Sequence, residues 1–451
     1  MKKVYFAAVA GNIGLLSIGQ FYGWASPTLP KLIQDKDADY PVHLTVEEAS
    51  WIAGLLMFAG VLGCIMCALV VNIIGRKNTM LFAAIPSIIS WLLIAYATSP
   101  MELYLSRCLS GIASGIAYSA TPMYLGEISP PNIRGNLSSM LTVAAKLGTV
   151  IEYVIGPFLS VKNLALVSLT GPCLFIITFI WVPESPYQLM RRDNKQKAIK
   201  SLVLLRGKED VYKEAESIER SVKTDLANKF GFREILFVPG NRRALLIKLC
   251  LNTLQQMTGI QAIMQYAETI FDMTNSNLES KYLTMILGAL QVSCTIICMF
   301  FTDCCGRKLL LIISSVGSAC STAIVAVYFT LQHYDIDTSN LVWLPVIGVF
   351  MYIIMYNLGL APLLSTLSGE LFSMNIKAFG ITLAMAVANI VAFLVTILYS
   401  VFAETFGVHV PFWIFSVNGF LAALFVFLYL PETKGKTLQQ IQEKLNKPPK
   451  K

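Results

Sequence analysis

The chain runs to 451 residues, of which 55% are hydrophobic and only 14% charged. A soluble domain carries about a quarter charged residues, so this composition excludes a soluble globular protein and points to a polytopic membrane protein. The net charge of +8 would suit a nucleic-acid partner only if it were gathered in one patch, and it is spread along one set of turns instead.

Twelve apolar runs, each near the roughly 20 residues that cross a bilayer core, are expected at 4–29, 51–73, 80–99, 103–126, 139–160, 164–183, 243–272, 282–302, 309–331, 341–366, 379–403 and 409–430. Met1-Lys2-Lys3 ahead of Ala8-Val9-Ala10 mimics a secretion signal, but the apolar run continues to about Leu29, so an uncleaved first span is expected. With this assignment Lys and Arg collect in the even-numbered turns and at both termini. The opposite side holds Lys31, Lys36, Lys162 and Lys281, and the spans themselves hold Arg107, Lys146 and Lys248. The positive-inside rule then places both termini in the cytosol, in a multi-pass protein of the cell membrane. The cysteines are scattered, mostly inside spans (Cys64, Cys67, Cys108, Cys173, Cys250, Cys294 and Cys298), where they read as small packing residues. Cys304-Cys305 falls in a predicted cytosolic turn, where disulfides are disfavoured.

The first half carries its punctuation at span ends. "GRK" at Gly75–Lys77 follows the second span. Gly111 and Gly115 of "GIASG" allow close helix approach in the fourth. That span ends at Gly126-Glu127, with Arg134 seven residues beyond the acid. The fifth span places Thr142, Lys146 and Tyr153 on one face. Lys146 reads as a snorkelling lysine, as one paired with Glu152 or Glu268, or as a group that attracts an anionic solute to the pathway. "PES" at Pro183–Ser185 closes the sixth span and introduces Glu184. Residues 184–242 then turn charged and helix-prone, which predicts a small cytosolic bundle of amphipathic helices between two membrane halves.

The seventh span reads "LNTLQQMTGIQAIMQYAETIF". Thr258, Gln261, Gln265 and Glu268, spaced 3, 4 and 3, would share one helical face, with Gln255 a turn earlier and Gln256 beside it. Amides both donate and accept, which suits an uncharged, hydroxyl-rich solute. The bland reading is polar glue between helices, and so many aligned polar residues exceed what glue needs. In the tenth span Gly359 and Pro362 predict a helix break that serves as a hinge.

The second half repeats the first. "GRK" returns at Gly306–Lys308, Gly369-Glu370 is followed after seven residues by Lys377, and "PET" at Pro431–Thr433 answers "PES". Three matches in order imply a duplicated six-helix unit of the kind used for alternating access around a midplane site. The expected fold is an all-α membrane protein of twelve transmembrane helices in two six-helix pseudo-symmetric bundles. Its parts are an N-terminal bundle at 1–183, the helical linker at 184–242, a C-terminal bundle at 243–430 and a cytosolic tail at 431–451.

The set "NIIGRK", "PMYLGEISPPNIRG", "PESPYQLM", "LQQMTGIQAI", "GELFSMNIK" and "PETKGKTL" resembles the sugar porters of the major facilitator superfamily, and "GWASPTLP" with "PESPYQLM" looks nearest to the insect facilitated trehalose transporters. The resemblance implies that charged pairs at the cytosolic ends latch a gate between the halves: Arg76 with Glu127, Arg134 with Glu184, Arg307 with Glu370 and Lys377 with Glu432. It implies sugar contacts from Gln255, Gln256, Gln261 and Gln291, to which Tyr266 is added. Several positions depart from the family pattern. The fifth-span glutamine of glucose carriers is Thr142, the tenth-span tryptophan is Ser365 and the eleventh-span Asn-Trp pair is Ala388-Asn389, while Cys304 and Lys377 replace arginines. Losing both indoles fits a wider pocket, as for a disaccharide. Thr142, Lys146, Ser365 and Asn389 therefore join the substrate-binding candidates.

The function expected is facilitative transport of a sugar, trehalose or a relative of it, by alternating access of a monomer. The first span, "GQFYGWASP", lacks the aspartate of proton-coupled relatives, which favours uniport, while Glu268 and Glu404 leave a proton-coupled carrier as an alternative. An anion-accepting carrier and a non-transporting sugar sensor are the others. His43, His333 and His409 offer no catalytic constellation, and there is no phosphate-binding loop. Neither an enzyme, a cofactor, a metal nor a nucleic-acid partner is expected; the partners are a small-molecule sugar and the lipid bilayer.

Overall fold

A computed structural model describes residues 2–34, 37, 40–130, 133–207, 211–227, 239–274, 276–301, 306–372, 377–432 and 440, without the side chains of 134, 136, 138, 225–227, 299–301, 365–366, 368–370 and 377–379. Every regular element among these residues is helical, the form in which a lipid-embedded backbone satisfies its own hydrogen bonds. The fold is all-α, and the protein is a multi-pass membrane protein.

In chain order α1 (Lys2–Ile33), α2 (Val46–Ile74), α3 (Arg76–Tyr96), α4 (Pro100–Ile128) and α5 (Arg134–Ile155) precede an interrupted sixth span, α6 (Val161–Ser168) and α7 (Thr170–Phe179). The linker forms α8 (Pro186–Arg191), α9 (Lys195–Arg206) and α10 (Tyr212–Ala227). The second half contains α11 (Pro239–Met257), α12 (Ile260–Gln265), α13 (Ala267–Asp272), α14 (Ser280–Phe301), α15 (Arg307–His333), α16 (Trp343–Met355), a π-turn at Tyr356–Leu360, α17 (Ala361–Leu371), α18 (Lys377–Phe406) and α19 (His409–Tyr429). Ten of the described helical stretches are long and apolar enough to cross a membrane. The charge-bearing α4 and the interrupted α11–α13 stretch supply the rest of the twelve expected.

The exterior differs from that of a soluble protein. Trp181 and Ile73 are 80% and 71% exposed, whereas Arg107, Glu152 and Thr396 are fully buried. Charged and polar groups are buried alongside apolar ones such as Trp24 and Trp91, while many large apolar side chains face outward, to lipid.

The chain divides into two compact units: Met1–Trp24, Gln34–His43 and Leu55–Lys229 form one, and Ala25–Ile33, Leu44–Gly54 and Phe230–Lys451 the other. In the first, Gly111 and Gly115 let α4 lie against the backbone of α2. A Cβ on Gly111 would stand 2.5 Å from the Leu56 carbonyl oxygen, so the close approach expected of "GIASG" is present. The linker helices build their own core from Met190, Ala198, Leu202, Val211, Ala215 and Val222. In the second unit the tenth span stays helical but widens into the π-turn at Tyr356–Leu360, two residues before Pro362.

The seventh span departs from its expected single helix. Gly259, at φ +86°, ends α11, and a second break at Tyr266 separates α12 from α13. The Phe415 ring occupies the space that a side chain on residue 259 would need. Thr258, Gln261, Gln265 and Glu268 consequently do not share one continuous helical face.

Candidate functional site

The duplicated motifs become duplicated hydrogen bonds. In the first unit Glu184 Oε1 accepts from the Lys77 backbone N–H at 3.1 Å, and Lys77 Nζ donates to the Ile180 carbonyl at 2.7 Å. In the second, Glu432 accepts from the N–H groups of Arg307 and Lys308, both at 3.1 Å, and Lys308 Nζ donates to the Phe427 carbonyl at 2.7 Å. Each acid thus caps the N-terminus of the helix that "GRK" opens, where unpaired N–H groups and the helix dipole favour a carboxylate. Gly75 fits this turn for two reasons: its φ is +99°, and the Glu184 carboxylate fills the space a Cβ would take.

Arg76 forms the expected pair. Its Nε lies 2.9 Å from Glu127 Oε1, with the two side chains 5% and 17% exposed. The same guanidinium reaches Asn72 Oδ1 at 3.2 Å and Gln188 Oε1, while Ser185 donates to Glu127 Oε2. Ser185 and Gln188 are members of this cluster that sequence reasoning missed, although both stand in the quoted "PESPYQLM". Glu184 is engaged as a helix cap. The side chains of Arg134, Glu370 and Lys377, on which the remaining expected pairs depend, lie outside the described residues, as does that of Ser365. Both partners of each described pair belong to one and the same unit.

The amides of the second unit divide into two groups. Gln255 is spent on the protein: its Nε2 donates to Tyr356 Oη and to the Leu360 carbonyl, both at 2.9 Å. Lys248, two turns earlier, donates to the Leu364 carbonyl at 2.7 Å. A π-turn followed by proline disturbs the backbone ladder of the tenth span, and two side chains of α11 take up carbonyls there. Thr258 likewise pairs with Tyr352 Oη at 3.1 Å. By contrast, Gln256 Oε1, Gln291 Oε1 and both amide atoms of Gln265 are buried without a hydrogen-bond partner in the protein. Gln261 is half-buried on α12. Tyr266 packs against Tyr399 with ring centroids 5.2 Å apart, and Asn389 is half-buried on α18. A buried amide left unpaired costs about 1–3 kcal/mol, and three such residues lie on the seventh and eighth spans.

In the first unit Thr142 is exposed and Lys146 half-buried, and Lys146 takes no carboxylate partner among the described residues. Glu152, offered as its partner, faces Ser168 instead, whose hydroxyl lies 2.5 Å from Oε1. Arg107 donates to the Phe21 carbonyl at 2.9 Å and lies 5.0 Å from the Trp24 ring centroid.

Residues 18–445 match the family model described as "Sugar (and other) transporter". Among curated proteins, the facilitated trehalose transporter Tret1 of Drosophila mojavensis is 33% identical over 441 residues, 97% of this chain and 51% of the relative. Those of Polypedilum vanderplanki and Bombyx mori are 32% and 31% identical, again over 97% of this chain and over 87% and 86% of their own lengths. The chain spans about half the length of the Drosophila relatives it matches. Among solved structures, the inward-open xylose transporter XylE from E. coli superposes with a TM-score of 0.80 at 21% identity, covering 98% of this chain and 99% of that one.

Proposed function

Because this chain belongs to the family of sugar (and other) transporters, we propose that it carries a neutral sugar, trehalose or a related one, across the membrane by facilitated, alternating access. The observation that carries this reading is the set of buried, unpaired amides at Gln256, Gln265 and Gln291. A hydroxyl-rich solute supplies both donors and acceptors to such groups, whereas an anion, which only accepts, would leave the three amide oxygens unsatisfied. The relatives named facilitated trehalose transporters support the substrate class. Gln255 holds the tenth-span π-turn and acts on the sugar through it, while Gln261, Tyr266, Asn389, Thr142, Lys146 and Ser365 are assigned to the pathway. Arg76 with Glu127, the capping acids Glu184 and Glu432, and Arg134, Arg307, Glu370 and Lys377 are assigned to the cytosolic latch. Both termini and the linker face the cytosol, and the monomer is the working unit.

A proton-linked variant of this transport is favoured by one specific observation. Glu152 is fully buried, and the groups that meet its carboxyl are neutral: the Ser168 hydroxyl and the Gln20 amide. An ionised carboxylate so placed is costly without a cation. Proteoliposomes separate the readings. Saturable uptake of labelled trehalose that is the same with and without an imposed pH gradient supports facilitated transport. Gradient-driven accumulation supports the proton-linked variant. Absence of uptake for trehalose, glucose and other neutral sugars overturns both.

A further inference from the structure

Two of the three histidines of the chain meet at one end of the second unit. His333 is the last residue of α15 and His409 the first of α19, so both lie at the end opposite Arg307 and Glu432. Their ring centroids are 4.6 Å apart with the planes inclined by 38°. Between them stands Gly407, at φ +97°. A Cβ on that glycine would lie 2.9 Å from His409 Nδ1 and 3.2 Å from His333 Nδ1. The two nitrogens therefore flank a single small gap, and their separation cannot exceed the sum of those distances. His409 Nδ1 is buried and has no hydrogen-bond partner. The left-handed backbone of residue 407, which glycine alone adopts freely, keeps the gap open.

The pair borders a cavity of about 360 Å³ that is also lined by Met273, Phe329, Gln332 and Val408. Gln332 donates through Nε2 to the Met273 carbonyl at 3.4 Å, which leaves its Oε1 as an oxygen donor. Tyr328 Oη donates to the Thr274 carbonyl at 3.0 Å, and Trp413 Nε1 to Thr330 Oγ1 at 3.0 Å. These bonds fasten the ends of α13, α15 and α19 around the histidines, while the imidazoles themselves keep their side-chain rotation.

We propose that His333 and His409 form a binding site for a borderline transition-metal cation of the zinc and copper class. Neutral imidazole is the ligand these ions favour. A bridging ion at about 2.1 Å from each nitrogen requires the two Nδ1 atoms within about 4.2 Å of each other, a distance within range of side-chain rotation. Gln332 Oε1 and water complete the shell, and the Met273 sulfur adds a soft donor for copper. The sequence alone pointed to no metal, because His333 and His409 are 76 positions apart and converge only through the fold. In the proposed orientation the site faces away from the cytosol and samples the ions of the opposite compartment.

The test uses full-length protein without a polyhistidine tag, purified in detergent and titrated calorimetrically with Zn²⁺. One ion per chain is expected, with affinity falling at least about tenfold in His333→Asn and again in His409→Gln, by analogy with the 10- to 100-fold effects of outer-shell partners. Binding should weaken below about pH 6.5, where protons compete for the imidazoles. Cu²⁺ bound to the unaltered protein should show electron-spin coupling to two nitrogens, and to one in either variant. Thermal melts confirm that the variants are folded. Equal Zn²⁺ affinity in the unaltered protein and the double variant, or no binding by the unaltered protein, overturns the assignment. None of these readouts depends on sugar transport, so the metal site and the transport reading stand or fall separately.

Discussion

At the residue scale, the Arg76 cluster and the unpaired amides differ in what substitution should do. Arg76→Ala leaves Glu127 partly buried without its cation, a loss of about 3 kcal/mol or more for a buried pair. A clear fall in melting temperature in detergent is the expected outcome. Arg76→Lys should lie between, because lysine keeps the charge and loses the planar fork that reaches Asn72 and Gln188. Gln291→Leu should do the opposite: it removes an unpaired buried oxygen and so leaves stability unchanged or raised. Sugar affinity should nevertheless fall about tenfold, or 1.4 kcal/mol, measured as KM for uptake. Much of this chemistry was legible in the sequence. The spacing of Glu127 and the "GRK" turn announced the Arg76 pair. Ser185 and Gln188 were harder to read, since an uncharged polar side chain after a motif carries no periodicity. The capping role of Glu184 was hidden too, because an acid that accepts backbone N–H groups looks in sequence the same as one that pairs with arginine.

At the scale of the element, glycine position decides which helices can change. Gly111→Ala should destabilise strongly, because the new methyl meets the Leu56 carbonyl and the Ala59 side chain, both backed by α2. Gly126→Ala, in the same helix with open space around it, should be neutral or stabilise by up to about 1 kcal/mol. Comparing the two melts separates packing from helix propensity. In the linker, Lys195 and Lys223 hold Glu219 at 2.6 and 2.8 Å. Hydrogen bonds from both lysines, reinforced by their charges, draw the Glu219 carboxyl down from 4.5 to about 2. Its contribution is therefore fully present above about pH 4.5 and is lost as pH falls towards 2. Amide exchange across α9 and α10 should quicken over that window, and high salt should blunt the change. Helix existence was readable from apolar run length. The interruptions at Gly259 and Tyr266 were not, because the run there continues unbroken; a positive φ marks the stop at Gly259, while Tyr266 departs from the helix at φ −107°.

For the whole molecule, twofold repetition is the main organising fact. The sequence announced it through three motif pairs, and the structure realises it as the same two bonds in each unit, acid to helix start and lysine to the end of the span that leads into the acid. The orientation proposed from Lys and Arg placement gives a direct prediction. A cysteine placed at Lys197 in α9 should be protected from an impermeant thiol reagent in intact cells and labelled after permeabilisation, whereas one at Asp337, between α15 and α16, should be labelled in both. Reversed labelling would overturn the orientation.

The two capping bonds also fix an order in time. Lys77 and Glu184 are 107 positions apart, and Lys308 and Glu432 are 124 apart. At the roughly 5–20 residues per second of synthesis, each helix start waits about 5–25 s for the acid that completes it. The first unit can close its cap while the second is still being made. A pause inserted between residues 77 and 184 would then lengthen the exposure of the α3 N–H groups, and one placed in the linker would leave them already satisfied.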